Sequence, residues 1–390
     1  MTLPLSLAAL TLAAWLALAV AALLSHYKVP RLHEVAPARP DDPPLPRLSI
    51  IATAHNEERS MERALRSLLA LRYANYEVIF VNDRSTDRTG EIAERLSAGD
   101  ARLRVLHIVE LPAGWFGKTH AARRGAEAAT GEILLFTDAD VVFAPDAAAC
   151  GARHLLRERL DHLAAAPRVT VTGTMLRACT IATQLFIGAR QRLWKVGDPR
   201  SSAFIGIGAY TMMRADSYRA IGGHECVALR PDEDLRLGQI VKRSGMRSGF
   251  LKGVELLEIR WYHSFGDFVR GLDKNFFAAL DYSVFMVTGS TVTLAWLAAG
   301  PIVMAPLLLA TGQPLAGALY AACPVICWAA ATTVSRDNSY PWQYVLPFPL
   351  AVLVIVFTIW RSTLITIFRG VSWGGPPVPL RELKKARIRR

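Results

Sequence analysis

The sequence predicts an α/β domain that lies between apolar segments long enough to cross a membrane. Two observations support this fold class. Of the 390 residues, 52% are hydrophobic, and long uncharged blocks of them lie at both ends of the chain. In the charged middle, short apolar runs alternate with amphipathic stretches. Strands and helices in such alternation predict a mainly parallel sheet that helices cover on both faces.

The first apolar block, Leu3 to Leu24, is uncharged and about long enough to cross a bilayer as a helix. His26, Lys28 and Arg31 follow it, and short basic flanks stay on the cytoplasmic side of a membrane. The start of the chain, MTLPL, lacks the basic residues of a cleaved signal peptide. Residues 1–28 are therefore predicted to be an uncleaved N-terminal transmembrane anchor.

The rest of the chain divides by composition. Residues 29–46 form a proline-rich linker, which should be extended and stiff, and residues 47–283 form the domain that faces water. Residues 284–368 hold about three further transmembrane segments, and residues 369–390 form a basic tail of cytoplasmic type. Three crossings from a cytoplasmic domain would leave that tail outside. Either one block is re-entrant or interfacial, or the tail departs from the positive-inside rule.

The formal net charge of +12 raises the question of a nucleic-acid partner. Much of the excess lies in the tail RELKKARIRR and in arginines scattered through the middle, without the interleaved aromatic residues of a stacking platform. The charge therefore favours a membrane surface and a polyanionic small substrate, and no nucleic acid is expected.

Four apolar runs in the middle of the chain are predicted to be strands: LSIIATA, YEVIFVND, RLRVLHI and GEILLFTDAD. Helices are predicted between them, over NEERSMERALRSLLAL, STDRTGEIAERL and THAARRGAEAAT. Further along, TVTGT and AFIGIGAYTMMR are also predicted to be strands. Gly206 and Gly208 in the second of these would let substrate approach the backbone, or they mark strand bulges.

Polar side chains follow three of the predicted strands. His55 and Glu57 follow the first, Asp83 ends the second, and Asp138 and Asp140 end the fourth. Each alone would be an ordinary turn or cap former, but ligands of open α/β sheets bind at the carboxyl ends of the strands. In an extended chain Asp138 and Asp140 would face the same way. Their oxygen atoms suit Mg²⁺ or Mn²⁺.

The order AHNEE, VNDRSTD, GKTHA, TDAD and PDEDLRLG resembles the family 2 glycosyltransferases with a GT-A fold, over roughly residues 46–275. TDAD alone is a weak signal, whereas five elements in this order are a strong one. The resemblance implies a Rossmann-like domain that binds a nucleotide sugar, commonly a UDP-sugar. It assigns the nucleotide sugar to His55, Glu57, Asp83, Lys118 and Asp138, and the metal that bridges the diphosphate to Asp140.

By the same resemblance, Asp234 of PDEDLRLG is the catalytic base of an inverting enzyme, although such acids also suit the first turn of a helix. The acceptor or membrane side is assigned to Glu233, His224, Trp261 and Arg270. Two features depart from the family pattern. Asn82 stands where many members have an aspartate, and the Q/RxxRW signature of processive synthases and ceramide glucosyltransferases is absent.

The expected function is transfer of a single sugar from a nucleotide sugar to a membrane lipid. In its arrangement the chain resembles bacterial membrane glycosyltransferases that act on carotenoid, hopanoid or glycerolipid acceptors. The alternatives are a processive polysaccharide synthase and a non-catalytic membrane protein that binds nucleotide sugars. The expected location is the cell (inner) membrane, which the chain crosses several times, with the catalytic domain in the cytoplasm.

Overall fold

The computed structural model describes residues 3–35 and 43–386, and within them the chain forms fourteen α-helices and ten strands. The helices are α1 Leu3–Lys28, α2 Met61–Leu69, α3 Thr89–Ser97, α4 Gly117–Ala128, α5 Ala147–Arg157, α6 Thr174–Gln191, α7 Ala215–Ala220, α8 Glu233–Arg243, α9 Phe265–Gly271, α10 Phe276–Ala279, α11 Val284–Ala310, α12 Pro314–Asp337, α13 Phe348–Arg369 and α14 Leu380–Lys385. The strands are β1 Leu48–Ala54, β2 Tyr76–Asp83, β3 Leu103–Ile108, β4 Ile133–Asp138, β5 Val141–Phe143, β6 His162–Ala166, β7 Arg168–Val169, β8 Thr211–Arg214, β9 Ser248–Lys252 and β10 Leu257–Ile259.

The chain divides into two compact units. Unit 1 comprises Met1–Lys28, Val171–Arg192 and Tyr262–Phe368, and unit 2 comprises Val29–Thr170, Leu193–Trp261 and Arg369–Arg390. Residues 171–192 thus group with the apolar helices in unit 1. Of the predicted linker and basic tail, residues 36–42 and 387–390 lie outside the described residues. The five-part domain division given above stays a prediction.

Unit 2 contains the predicted α/β layer. In its described part, seven strands form a sheet in the order β3-β2-β1-β4-β8-β6-β9. β3, β2, β1 and β4 are parallel to one another, and β6 is parallel to β9. β8 lies between β4 and β6 and runs antiparallel to both. The prediction of a mainly parallel sheet in an α/β fold is confirmed. Helices are needed to reverse the chain between parallel strands, which explains the alternation in the sequence.

The core of unit 2 forms where helices cover the parallel strands. Ile51, Ile79 and Val81 of the central strands are fully buried and belong to the same apolar cluster as Leu237 and Val241 of α8. Near-continuous apolar runs are typical of parallel strands covered on both faces, and they made these strands recognisable. Packing of α8 on this layer brings the start of the helix to the carboxyl edge of the sheet.

Unit 1 consists of helices. In residues 3–35 and 43–386, four helices are long and apolar enough to cross a membrane, namely α1, α11, α12 and α13. Each coincides with a block predicted from composition. Arg361, the charge that interrupts the last block, donates from Nε to Asp273 Oδ1 at 2.9 Å and from Nη2 to Oδ2 at 3.0 Å. Charges within apolar segments are normally paired in this way.

One predicted strand is wrong, and another is shorter than predicted. TVTGT forms none, because Gly173, with φ 88°, turns the chain into α6. In AFIGIGAYTMMR only Thr211–Arg214 is a strand. Helix α6 buries apolar residues on several sides rather than along one stripe, so its sequence carries little helical periodicity. A third expectation also changes: β4 ends at Asp138 and the chain turns at Asp140, so these aspartates do not share one extended segment.

Candidate active site

The carboxyl ends of three parallel strands lie side by side in unit 2. β1 lies between β2 and β4, and the register pairs Ala54 with Asn82 and Thr53 with Asp138. The polar residues at the carboxyl ends of β1, β2 and β4 therefore lie at one edge of the sheet. This is the edge at which open α/β sheets bind ligands.

Asp83, the last residue of β2, is 2% exposed and pairs with its neighbour in sequence. Arg84 donates from Nε to Asp83 Oδ1 at 2.7 Å and from Nη2 to Oδ2 at 2.8 Å. The φ of Arg84 is 53°, in the left-handed region that non-glycine residues rarely adopt. His55 donates from Nδ1 to the backbone carbonyl of Asp83 at 2.5 Å. The charge of Asp83 is thus neutralised by a local bidentate pair.

Lys118, in the first turn of α4, joins two segments that are far apart in the sequence. Its Nζ lies 2.5 Å from Asp138 Oδ1 at the end of β4 and 3.0 Å from Glu233 Oε1 at the start of α8. Asp138 is half-buried, and Glu233 is 4% exposed. The tertiary structure therefore brings TDAD and PDEDLRLG into one ion cluster.

Asp234, the second residue of α8, completes this cluster. Its Oδ2 accepts a hydrogen bond from the backbone N–H of Gly208 at 2.7 Å, and its Oδ1 accepts one from its neighbour Leu235 at 2.7 Å. Gly206 and Gly208 are explained by the close approach of other parts of the protein, and not by a strand bulge. A Cβ on Gly206 would collide with the carbonyl oxygen of Asp234, and a Cβ on Gly208 would lie 2.9 Å from Lys118 Nζ.

The surroundings shift the pKa values of three groups in this cluster, namely Glu233, Asp234 and Lys118. Burial raises the pKa of Glu233 to about 7, although Lys118 opposes the shift. Burial likewise raises the pKa of Asp234, against the charge of Lys118 and the two amides. Burial also acts to lower the pKa of Lys118, but the carboxylates of Asp138, Glu233 and Asp234 outweigh it and hold that pKa well above its usual range. Lys118 therefore stays charged at neutral pH.

Asp140 lies beside this cluster and is crowded by other acids. Burial, together with the charges of Asp138 and Glu57, raises the pKa of Asp140 to about 8. Within residues 3–35 and 43–386, no three His, Cys, Asp or Glu residues are grouped so as to hold a metal ion. Asp138 and Asp140 thus fit an open site, in which a divalent cation takes one or two carboxylates and obtains its other ligands from phosphate and water.

The residues assigned to the acceptor side are dispersed. His224 is 5% exposed, hydrogen-bonds through Nδ1 to Tyr218 at 2.7 Å, and lines a cavity with Glu233 and Asp234. Burial lowers its pKa to about 3, so its ring is neutral. Trp261 is the last residue of the second segment of unit 2. Arg270 lies in α9 of unit 1 and pairs with Asp267. The acceptor roles of these residues stay predictions.

Two features of the site went unnoticed in the sequence. Asp232 accepts bidentate hydrogen bonds from Arg230, both at 2.8 Å, and one from Arg236 at 2.8 Å, which anchors the start of α8. The second feature is residues 371–378, called the C-terminal turn. Its Trp373 accepts a hydrogen bond from the first amide of α4, Gly117 N–H, at 3.1 Å. An aromatic residue within SWGGPP was the available signal for the turn, and the acids and arginines of LRPDEDLR were the signal for the anchor.

Comparison with known proteins identifies the family. A family model described as glycosyl transferase family 2 matches residues 49–222, which include Asp83, Lys118, Asp138 and Asp140. Residues 49–222 are thus a domain of the glycosyltransferase family 2 type. This family 2 match ends before Asp234, so the second half of the ion cluster lies beyond it.

Curated relatives of this chain are also glycosyltransferases by name. The uncharacterized glycosyltransferase EpsJ of Bacillus subtilis is 38% identical over 96 residues, which is 25% of this chain and 26% of EpsJ. The 4,4'-diaponeurosporenoate glycosyltransferase of Staphylococcus aureus is 25% identical over 217 residues, which is 55% of this chain and 56% of that protein. The chain thus spans between about a quarter and about half of the length of these relatives.

Among solved structures, a mannosyltransferase from Pyrobaculum calidifontis, in complex with GDP-mannose and Mn²⁺, has the same fold. The match has a TM-score of 0.51 and covers 92% of this chain and 99% of the mannosyltransferase, at 18% sequence identity. At this identity the likeness concerns the fold alone. The expected fold, a central α/β sheet of GT-A type with apolar helices at both ends of the chain, is therefore confirmed.

Proposed function

We propose that this chain is an inverting glycosyltransferase that moves a single sugar from a nucleotide sugar, a UDP-sugar, to a lipid acceptor in the membrane. One observation carries the proposal. Lys118 links Asp138, at the end of β4, to Glu233, next to Asp234 at the start of α8. A family 2 donor segment and a buried carboxylate suited to act as a base thus meet in one cavity.

Asp234 is the proposed catalytic base. An acceptor hydroxyl is a poor nucleophile until its proton is accepted, and a carboxylate with a raised pKa accepts that proton more readily. The amides of Gly208 and Leu235 hold both carboxylate oxygens of Asp234 in place, and each oxygen keeps a second lone pair for the proton. The proton of the acceptor would pass to Asp234 as the new bond to the anomeric carbon forms.

The proposed donor site lies along the edge of the sheet. His55, Glu57 and Asp83 would contact the base and ribose, and Asp138 the ribose. Lys118 carries a positive charge that complements the diphosphate. Asp140 would hold Mg²⁺ or Mn²⁺, which offsets the negative charge of the leaving diphosphate when it is bound. The crowding of Asp140 by two other carboxylates supports a cation there.

A membrane lipid is the proposed acceptor. Four helices are long and apolar enough to cross a membrane, which supports a chain that crosses it several times. The proposed location is the inner membrane, with the catalytic domain in the cytoplasm. A relative is named for 4,4'-diaponeurosporenoate, a single molecule rather than a polymer, which supports the transfer of one sugar. Under this proposal His224 would line the acceptor side, and Trp261 and Arg270 the membrane side.

The test uses the full chain in detergent with Mn²⁺ or Mg²⁺, a panel of radiolabelled nucleotide sugars and extracted membrane lipid. Nucleotide release and label in the lipid phase are followed, with the Asp234→Asn variant in parallel. Label in the lipid phase that the variant does not produce supports the proposal. Label in an aqueous polymer supports a processive synthase, and donor binding without any transfer supports a non-catalytic protein.

A further inference from the structure

The C-terminal turn is a well-formed element of unit 2. Val371 and Val378 exchange backbone hydrogen bonds of 3.0 and 2.8 Å, which close the turn. Ser372 Oγ donates to the carbonyl of Gly375 at 2.5 Å across it. Gly374 has a φ of 63°, so a side chain at this position would strain the backbone. The turn therefore holds a defined shape although it consists of glycines, prolines and a few side chains.

Trp373 places the turn against the start of α4. Its carbonyl accepts from Gly117 N–H at 3.1 Å, its ring centroid lies 6.2 Å from that of Phe116, and Lys118 Nζ lies 5.4 Å from its ring centroid. A cation at this distance from an indole face is attracted to it. Trp373 thus positions the ammonium group that bridges Asp138 and Glu233.

Gly374 places the turn against the ends of β1 and β2. A Cβ at this position would lie 3.4 Å from Asp83 Oδ2, 3.4 Å from Arg84 Nη2 and 3.8 Å from His55 Cγ. The backbone of the turn is therefore at contact distance from the Asp83–Arg84 pair. Together with Trp373, it covers three residues that the family resemblance assigns to the nucleotide, namely His55, Asp83 and Lys118.

We propose that the C-terminal turn completes the nucleotide-sugar site and that Trp373 is a positioning residue in it. The inference rests on the proposed function. A nucleotide held by His55, Asp83 and Lys118 has to lie against the turn, because the turn already borders all three. The flat indole suits a flat base or ribose beside a cation.

Nucleotide binding to variants of Trp373 tests this assignment. The full chain in detergent is titrated calorimetrically with UDP and with GDP, in native form and as Trp373→Ala, Trp373→Phe and Trp342→Ala. Trp342, 66% exposed in unit 1, is the matched control. Loss of an aromatic face should weaken binding about tenfold in Trp373→Ala, whereas Trp373→Phe should stay within about threefold of native. Trp342→Ala should bind like the native chain.

The outcomes separate the two proposals. If the native chain binds UDP or GDP and Trp373→Ala binds equally well, the role of the turn is refuted and the proposed function stands. If the native chain binds neither nucleotide, the proposed function fails and the role of the turn fails with it. In Trp373→Ala the donor KM should rise by a larger factor than kcat falls, and Trp373→Phe should restore the native KM. This pattern would separate a positioning role from a general loss of structure.

Hydrogen exchange of the native chain gives a test that needs no variant. With UDP bound, amides of residues 371–378 should exchange more slowly, together with those at the ends of β1 and β2. Protection of the strand ends without any change in residues 371–378 would show that the nucleotide does not touch the turn. That result would overturn the inference even if Trp373→Ala failed to fold.

Discussion

Two acidic regions of the site handle charge in opposite ways. At the end of β2, Asp83 is matched one to one by Arg84, its neighbour in sequence. Around Lys118, three carboxylates share the cation: Asp138, Glu233 and Asp234. The first region is a neutral pair. The second carries more negative than positive charge when its groups are ionised, and burial, with a smaller contribution from the neighbouring carboxylates, raises the pKa values of Glu233 and Asp234.

The difference suggests how the two regions divide their work. At the edge of the sheet, each carboxylate oxygen of Asp83 keeps a second lone pair, which can accept an N–H group of a ligand while the charge of Arg84 stays close by. A crowded cluster holds carboxylates that bind protons tightly, which is what a base requires. Each of the following predictions tests this division between binding at Asp83 and chemistry around Lys118.

The largest effect is expected from Asp234→Asn. The change keeps the size of the side chain but removes the proton acceptor, so kcat should fall by about 10²- to 10⁴-fold while UDP affinity stays close to native. Asp83→Asn is the matched variant in the other region. It should raise the donor KM and leave kcat nearly unchanged. Initial rates of nucleotide release at varied donor concentration measure both, and equal losses of kcat would contradict the division.

The raised pKa of Glu233 predicts that the stability of the chain depends on pH. Its pKa rises from 4.5 to about 7 on folding, so the native chain keeps a proton that the unfolded chain releases. The contribution of Glu233 to stability should therefore be complete below pH 4.5 and should be lost as the pH rises through about 7. The loss is roughly 3 kcal/mol at 1.36 kcal/mol for each pKa unit.

Thermal unfolding of the nucleotide-free chain in detergent, between pH 4.5 and 7.5, measures this contribution of Glu233. Glu233→Gln should lack that part of the decline. Glu91→Gln, an exposed position on α3, should retain it. A Glu233→Gln chain with the same pH slope as the native chain would refute the assignment.

Lys118→Met should destabilise the chain by about 2 kcal/mol, because the clustered carboxylates lose their shared cation. The side chain is 22% exposed, so the expected loss is smaller than for a fully buried pair. Adding Glu233→Gln should recover part of it, since one competing carboxylate is then neutral. Lys118→Arg keeps the charge and serves as the control. Denaturant unfolding of the native chain, the two single variants Lys118→Met and Glu233→Gln and the double variant gives the coupling. Additive losses would argue against a shared cation.

The smallest effect is expected from Gly208→Ala. The added Cβ would lie 2.9 Å from both Asp138 Oδ2 and Lys118 Nζ, so the cluster has to shift by a few tenths of an ångström. A displacement of this size at reacting groups should lower kcat/KM about tenfold. Gly99→Ala, whose new Cβ would meet its nearest atom at 3.6 Å, should behave like the native chain. Equal rates for both variants would show that the site tolerates such a shift.

Much of the fold was predictable because its signals are local. β1 and β2 have the predicted bounds, since buried parallel strands read as continuous apolar runs. The four membrane-length helices were recognisable from their length and lack of charge. Helix α6 was not, because its apolar residues follow no single stripe. The turn between Asp138 and Asp140 was missed because an alternating run continues beyond the residue at which the strand ends.

The candidate site was predictable in its parts but not in its connections. Asp138 and Asp234 were singled out from motifs, yet the ion cluster around Lys118 that links their segments depends on how α4 and α8 pack on the sheet. Gly208 was noted as a glycine, whereas its hydrogen bond to Asp234 follows from that packing. Trp373 carried no motif, and its neighbours in space are distant in sequence.

The sequence by itself determined the alternation of strands and helices, the apolar helices and the residue types at the strand ends. These features depend on periodicity and composition within short stretches of the chain, so the local pattern of residues is enough to predict them. Only the tertiary structure decided that Lys118 joins TDAD to PDEDLRLG and that the C-terminal turn borders both regions. Such contacts form between segments that packing of the whole sheet brings together, and local patterns carry no record of them.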